Sequence, residues 1–171
     1  MRILKKIFLV LLVLLVLAQL IPRPAKNSNP AITPNDITQV MPVPENVQAI
    51  LKKSCYDCHS NNTVYPWYAS LQPVALFLNN HIVEGKGELN FSEFGTYKAK
   101  RQHRKLEEII DEVKENEMPL SSYTLIHGDA KLSVEQRQAI TDWALTAQKT
   151  IPGINAESAE NQEQMKGEGH N

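Results

Sequence analysis

Charge of one sign is what this 171-residue chain lacks first: 18 lysines and arginines face 19 aspartates and glutamates, a formal net charge of −1. A dedicated nucleic-acid binder would be strongly basic, so no nucleic-acid partner is expected. Aromatic residues are scarce at 6%, yet 42% of the chain is hydrophobic, too much for a wholly disordered polymer. Two cysteines exclude a multi-disulfide scaffold. The length suits one domain with tails and is short for two full cores. No stretch alternates as a strand and no segment repeats, so the expected class is all-α.

What is present begins with an address. Met1-Arg2-Ile3-Leu4-Lys5-Lys6 precedes an apolar run from Ile7 to Ile21, broken only by Gln19. Basic residues ahead of a leucine-rich run mark an export signal, with the cations on the cytoplasmic side. Val16-Leu17-Ala18 loosely matches a small-residue cleavage site, but Val16 is a poor fit, which favours a retained anchor. Counted from Ile3 to Ile21, with Lys5 and Lys6 snorkelling, the run has 19 residues. As helix it would reach roughly 28 Å, nearly the hydrocarbon thickness of about 30 Å. No cysteine follows the run, so a lipid-modified amino terminus has no attachment point. Residues 1–22 therefore read as a signal-anchor or transmembrane segment. Under either fate the rest of the chain lies in the bacterial cell envelope, on the periplasmic side of the cytoplasmic membrane.

Residues 23–43 read as a Pro-rich linker, a spacer whose prolines exclude helix or central strand. Residues 151–171 are polar and read as a disordered tail in which His170 is solvated. Between them, residues 44–150 form the expected folded domain. Glu45 to Cys55 puts Val47, Ile50 and Leu51 on one helical face behind Pro44. Leu71 to Val83 is apolar on several sides and reads as a buried helix ended by Gly85 and Gly87. Lys98 to Glu117 carries Leu106, Ile109, Ile110 and Val113 at helical spacing, with Pro119 as the stop. Val134 to Lys149 has Ser133 and Gln136 as a capping box and Ile140, Trp143, Ala144 and Ala147 as its inner face.

Both cysteines fall in Cys55-Tyr56-Asp57-Cys58-His59, the Cys-x-x-Cys-His pattern of c-type haem attachment. On a helical turn, positions i, i+3 and i+4 project to one side. Two thiols can then add to the two vinyl groups on one porphyrin edge, and the adjacent histidine comes beneath the iron as proximal ligand. A thiol–disulfide site shares Cys-x-x-Cys but usually belongs to a βαβ context absent here. Structural zinc needs four ligands where Cys55, Cys58 and His59 supply three, although a distant histidine would complete the set. A disulfide closing so short a loop would constrain little of the unfolded chain.

With these residues in view, the chain resembles the single-haem c-type cytochromes, and most closely the small bacterial envelope proteins with a haem-binding domain. The resemblance runs from about Pro44 to Ala144 and rests on SCYDCHSNNTVYPWYA (Ser54–Ala69), EMP (Glu117–Pro119) and LSVEQRQAITDWA (Leu132–Ala144). It implies a cytochrome c-like helical domain in which the motif-bearing helix crosses the last helix. One covalently attached haem c would be held by Cys55 and Cys58, with His59 as proximal and Met118 as distal iron ligand. One departure is the segment Trp67–Glu117, whose two helical runs match no standard cytochrome loop.

Met118 sits where a helix must end, and a thioether there would favour electron transfer; its other reading is a gap-filling core methionine. His81, His103 and His127 are its rivals. Met41 falls in the linker and Met165 in the tail. A carbonyl from Pro66 or Pro73 is expected to hold the second ring nitrogen of His59. Tyr65, Trp67 and Tyr68 are expected to wall the haem or pack in the core. The basic run Lys98–Lys105 reads as a solvated face, or as a dock for an acidic partner or haem propionates.

The expected function is single-electron transfer with redox partner proteins of the envelope, tethered to the membrane through residues 3–21. A haem-based sensor or small-ligand binder with an open distal site is the alternative. No catalytic acid, base or nucleophile stands out, so the chain is not read as an enzyme.

Overall fold

A computed structural model describes residues 1–152, and every regular element among them is helical. The elements are α1 (Arg2–Ala18), α2 (Ile37–Val40), α3 (Glu45–Ser54), α4 (Tyr56–His59), α5 (Val74–Glu88), α6 (Ala99–Glu115), α7 (Ser121–Thr124) and α8 (Val134–Thr150). Single 3₁₀ turns lie at Trp67–Ser70, Phe91–Thr96 and Gly128–Ala130. The expected disordered tail, His170 and Met165 included, lies outside the described residues from 153 on. Ile151, placed in that tail by composition, is instead 3% exposed and belongs to the core.

The core forms where α6 lies along α8 and α3 packs against α8. Leu106, Ile109, Ile110 and Val113 of α6 meet Ile140, Trp143, Ala144 and Ala147 of α8, as their spacing implies. Ser133 and Gln136 form the expected reciprocal cap on α8. The stop of α6 differs from expectation. The helix ends at Glu115, four residues before Pro119, because Asn116 adopts the left-handed conformation (φ 62°) and its N–H bonds the Glu112 carbonyl.

α5 also departs from its expected form. It runs to Glu88 through both Gly85 and Gly87, and only Ala75 and Ile82 are buried. Phe77 and Val83 face solvent, so this is a half-exposed helix rather than a buried one. Gly85 is there for contact, not termination. A Cβ on it would come within 2.9 Å of the Cys58 carbonyl oxygen, so glycine is what lets α5 approach α4 this closely.

No helix among the described residues is long and apolar enough to cross a membrane. α1 has 17 residues, about 26 Å of helix against a hydrocarbon core of about 30 Å. A single span over residues 3–21 is not shown. The helix stops at Ala18, where the Gln19 side chain turns to the backbone of Gln72.

The segment 23–43 folds onto the domain instead of standing free as a spacer. Asp36 caps α2 by accepting from the Thr38 N–H, and Ile37 on that turn is fully buried with Met41 and Val43. Its prolines exclude long elements but not burial. Residues 27–29 pair antiparallel with 61–63 through one isolated bridge, Ser28 to Asn62. Asn27 is the centre of that contact. Its N–H donates to the Tyr65 hydroxyl, its Nδ2 to the Ser60 carbonyl and the Thr63 hydroxyl, and its Oδ1 accepts from Lys86 at 2.7 Å. Asn27→Ala therefore strands several half-buried partners, and unfolding by denaturant should show a loss of about 1–3 kcal/mol.

Candidate functional site

Cys55 ends α3, and Tyr56–His59 make the one-turn α4 directly after it, with the Cys58 and His59 N–H groups both on the Cys55 carbonyl. The motif thus turns back on itself, and its three chemical side chains open on a common space. Two adjoining cavities, of about 340 Å³ and 490 Å³, share Cys55, His59, Glu88, Met118 and Pro119 in their walls; Cys58 lines the second. Both volumes fall in the usual range for cofactor sites. The first is closed by Leu51, Leu89, Phe91, Ile109, Val113 and Ile140, so the domain core is also its apolar wall.

His59 is held from behind. Its Nδ1–H donates to the Leu89 carbonyl at 3.0 Å, and its ring meets Phe91 edge to face at 6.3 Å. With Nδ1 engaged, Nε2 is the nitrogen left for a metal. Leu89 corrects the expectation of a carbonyl from Pro66 or Pro73. Burial pushes the imidazole pKa down from its ordinary value, partly opposed by the carbonyls of Leu89 and Gly85. Burial therefore favours the neutral ring, the form that ligates.

No disulfide joins Cys55 and Cys58. Burial, with Cys58 beside it, pushes Cys55 up to about 12, and burial with the nearby Asp57 charge pushes Cys58 up to about 11. Thiol–disulfide catalysts need the opposite, a lowered thiol pKa, so the site is built against that chemistry. Among the described residues no group of three or more His, Cys, Asp or Glu is placed to hold a metal ion on its own. That leaves the structural-zinc reading without its ligands.

Of the methionine's rivals, only His81 reaches these cavities: it lines the second, with Nδ1 bonded to the Phe77 carbonyl. His127 lies outside both linings, its Nε2 bonded to the Tyr68 hydroxyl at 2.7 Å and its ring stacked on Tyr123 at 4.5 Å. His103 lies on α6, outside both linings. Met118 lines both cavities and is half-buried.

The expected aromatic wall is not there. Trp67 is 80% exposed, Tyr65 bonds Asn27, and Tyr68 bonds His127. Phe91 and Tyr123 take that place. Tyr123 donates to Asp57 Oδ2 at 2.8 Å, while Asp57 Oδ1 accepts from the Val64 N–H. The second variable position of the motif thereby ties α4 to α7. Burial and the Asp57 partner both raise the Tyr123 pKa, so its hydroxyl stays a donor.

Lys105, at the end of the basic run whose pattern suggests a solvated face, is instead 3% exposed in the cavity wall, ion-paired with Glu88 at 3.1 Å and with Glu108. Arg101 and Arg104 do remain outside, over the Tyr97 ring and beside Glu108. A signal was present: Lys105, Ile109 and Val113 recur every four residues, on the stripe that faces the core. Leu89 had none, because a backbone carbonyl carries no side-chain signature.

Two thiols, an imidazole tied off at one nitrogen, and a thioether around one apolar space define the site of a haem-binding protein. The family described as a haem-binding domain matches residues 13–146, and the chain belongs to it. The match begins upstream of residue 44, in keeping with the packing of segment 23–43 on the domain. No curated protein and no solved structure matches the chain.

Proposed function

We propose that this is a membrane-tethered, single-haem c-type protein that passes single electrons between partner proteins outside the cytoplasm. The observation that carries this reading is the shared opening of Cys55, His59 and Met118 on one apolar space, with His59 Nδ1 engaged by Leu89. The donor set fits the group. Cys55 and Cys58 would hold it through their sulfurs, and His59 Nε2 and Met118 would serve as its iron ligands. When bound, haem supplies one-electron chemistry at iron. The chain's residues do the rest: Leu89 fixes the histidine tautomer, Phe91 sets the ring plane, and the core wall excludes water. Lys105 is buried in the cavity wall, where Glu88 and Glu108 already pair with its charge.

A cytochrome c-like arrangement is supported by the packing of motif-bearing α3 on α8 and by the Met118-Pro119 turn in the cavity wall. The tether rests on Arg2, Lys5 and Lys6 ahead of an apolar helix with no buried residue. It would put the domain on the periplasmic side of the cytoplasmic membrane. Electron transfer needs no catalytic nucleophile or base from the chain, so the proposed reading is not enzymatic.

Met118→Ala tests the distal ligand. The purified holoprotein should be low-spin with a band from sulfur ligation, and the variant should lose that band and take up carbon monoxide rapidly when reduced. An unchanged spectrum removes Met118 from the site. A wild-type chain that already binds carbon monoxide quickly turns the reading to a sensor with an open distal position.

A further inference from the structure

The apolar helix and the haem domain are clasped together, not separated. Gln19 Nε2 donates to the Gln72 carbonyl at 2.9 Å, and Gln19 Oε1 accepts from the Gln72 N–H at 3.1 Å. The Gln72 side chain reaches back, its Nε2 donating to the carbonyls of Ile21 and Pro22 at 3.4 Å and 3.3 Å. Gln72 is 1% exposed and Gln19 half-buried, so this reciprocal pair is partly screened from water. Around it the surface is apolar and open. Leu20 and Ile21 lead out of α1, Leu71 adjoins Gln72, and Trp67 begins the 3₁₀ turn that packs on α5; all four are exposed.

We propose that this collar, Leu20, Ile21, Trp67 and Leu71, seats the haem domain directly on the lipid bilayer at its polar–apolar boundary. The inference rests on the tether reading of α1. Three observations choose lipid over protein as the occupant. From Ile7 to Leu17 α1 is exposed and carries only apolar side chains, which suits hydrocarbon rather than one protein partner. The uninterrupted apolar part of α1, from Ile7 to Ala18, is about 18 Å of helix, so the collar adds apolar depth that the helix lacks against a core of about 30 Å. Tryptophan is the side chain favoured at that boundary, and Arg23 and Lys26 follow the collar where lipid phosphates would lie. The clasp makes the seat specific: with Gln19 and Gln72 joined, the collar cannot swing away from the end of α1.

Full-length holoprotein in vesicles of phosphatidylethanolamine and phosphatidylglycerol, carrying a photoactivatable group on an acyl chain, tests this. Adducts mapped by mass spectrometry are expected on α1 and also on residues 67–71. Gln19→Ala combined with Gln72→Ala, which removes all four clasp bonds without altering a collar side chain, should cut the 67–71 adducts several-fold and leave the α1 adducts unchanged. Adducts on α1 alone overturn the seat and spare the tether. An unlabelled α1 overturns the tether and the seat with it. Protein–protein cross-links through Trp67 or Leu71 in place of lipid adducts would assign the collar to a second copy of the chain, and would overturn the lipid seat.

Discussion

Alanine at both Cys55 and Cys58 will abolish covalent haem: whatever pigment co-purifies will pass into acidified organic solvent, while wild-type pigment stays with the polypeptide. Intact mass, measured alongside a pyridine haemochrome assay, should show the cofactor's mass lost. Replacing either cysteine alone leaves one thioether and an intermediate haemochrome spectrum, since each thiol satisfies one vinyl group. The effect is large because the thioethers convert a bimolecular binding problem into an intramolecular one, with effective concentrations far above free haem. Colourless wild-type product from cells equipped for haem attachment would sink the c-type reading. The chain's place in the haem-binding domain family would then require non-covalent binding.

Gly85→Ala should destabilise the chain although it adds only one methyl group. Alanine ordinarily favours a helix by about 1 kcal/mol over glycine. Here the new Cβ would press on the Cys58 carbonyl at 2.9 Å and the Cys58 Cβ at 3.1 Å, and backbone cannot rotate aside. Overpacking of this kind costs about 1–3 kcal/mol, so the clash wins. The damage should reach the cofactor, because α5 continues from Gly85 to Leu89, whose carbonyl holds His59. Denaturant unfolding should show the stability loss, and the yield of haem-loaded protein should fall. Gly87→Ala supplies the contrast: its Cβ meets nothing within 4 Å, and the same substitution two residues on should stabilise by about 1 kcal/mol. If both variants behave alike, the close approach of α5 to α4 is not what glycine serves.

Several features were legible before any fold was known, for local reasons. The α6 and α8 faces follow from 3.6-residue periodicity, and the Ser133–Gln136 cap from two residues three apart. What escaped was whatever depends on surface burial by distant chain. Segment 23–43 looked like a spacer because proline excludes long elements, yet Ile37 is buried and Asn27 pins the stretch beyond the motif to Lys86. The aromatic cluster after the motif looked like a haem wall, yet Trp67 faces outward, because proximity in sequence says nothing about side-chain direction once a turn intervenes. Gly85 and Gly87 look identical in sequence as helix-enders, and only the neighbour at Cys58 distinguishes them.

The grouping of Cys55, Cys58 and His59 was legible in the sequence alone, because five consecutive residues around one helical turn carry their mutual geometry with them. The tertiary structure decided what surrounds those residues. It brought the carbonyl of Leu89 to His59 across 30 residues, buried Lys105 in the cavity wall, and turned Met118 into the same cavity. These depend on long-range packing of α5, α6 and the turn after α6, for which hydrophobic burial supplies the force but no short pattern of side chains supplies the partner.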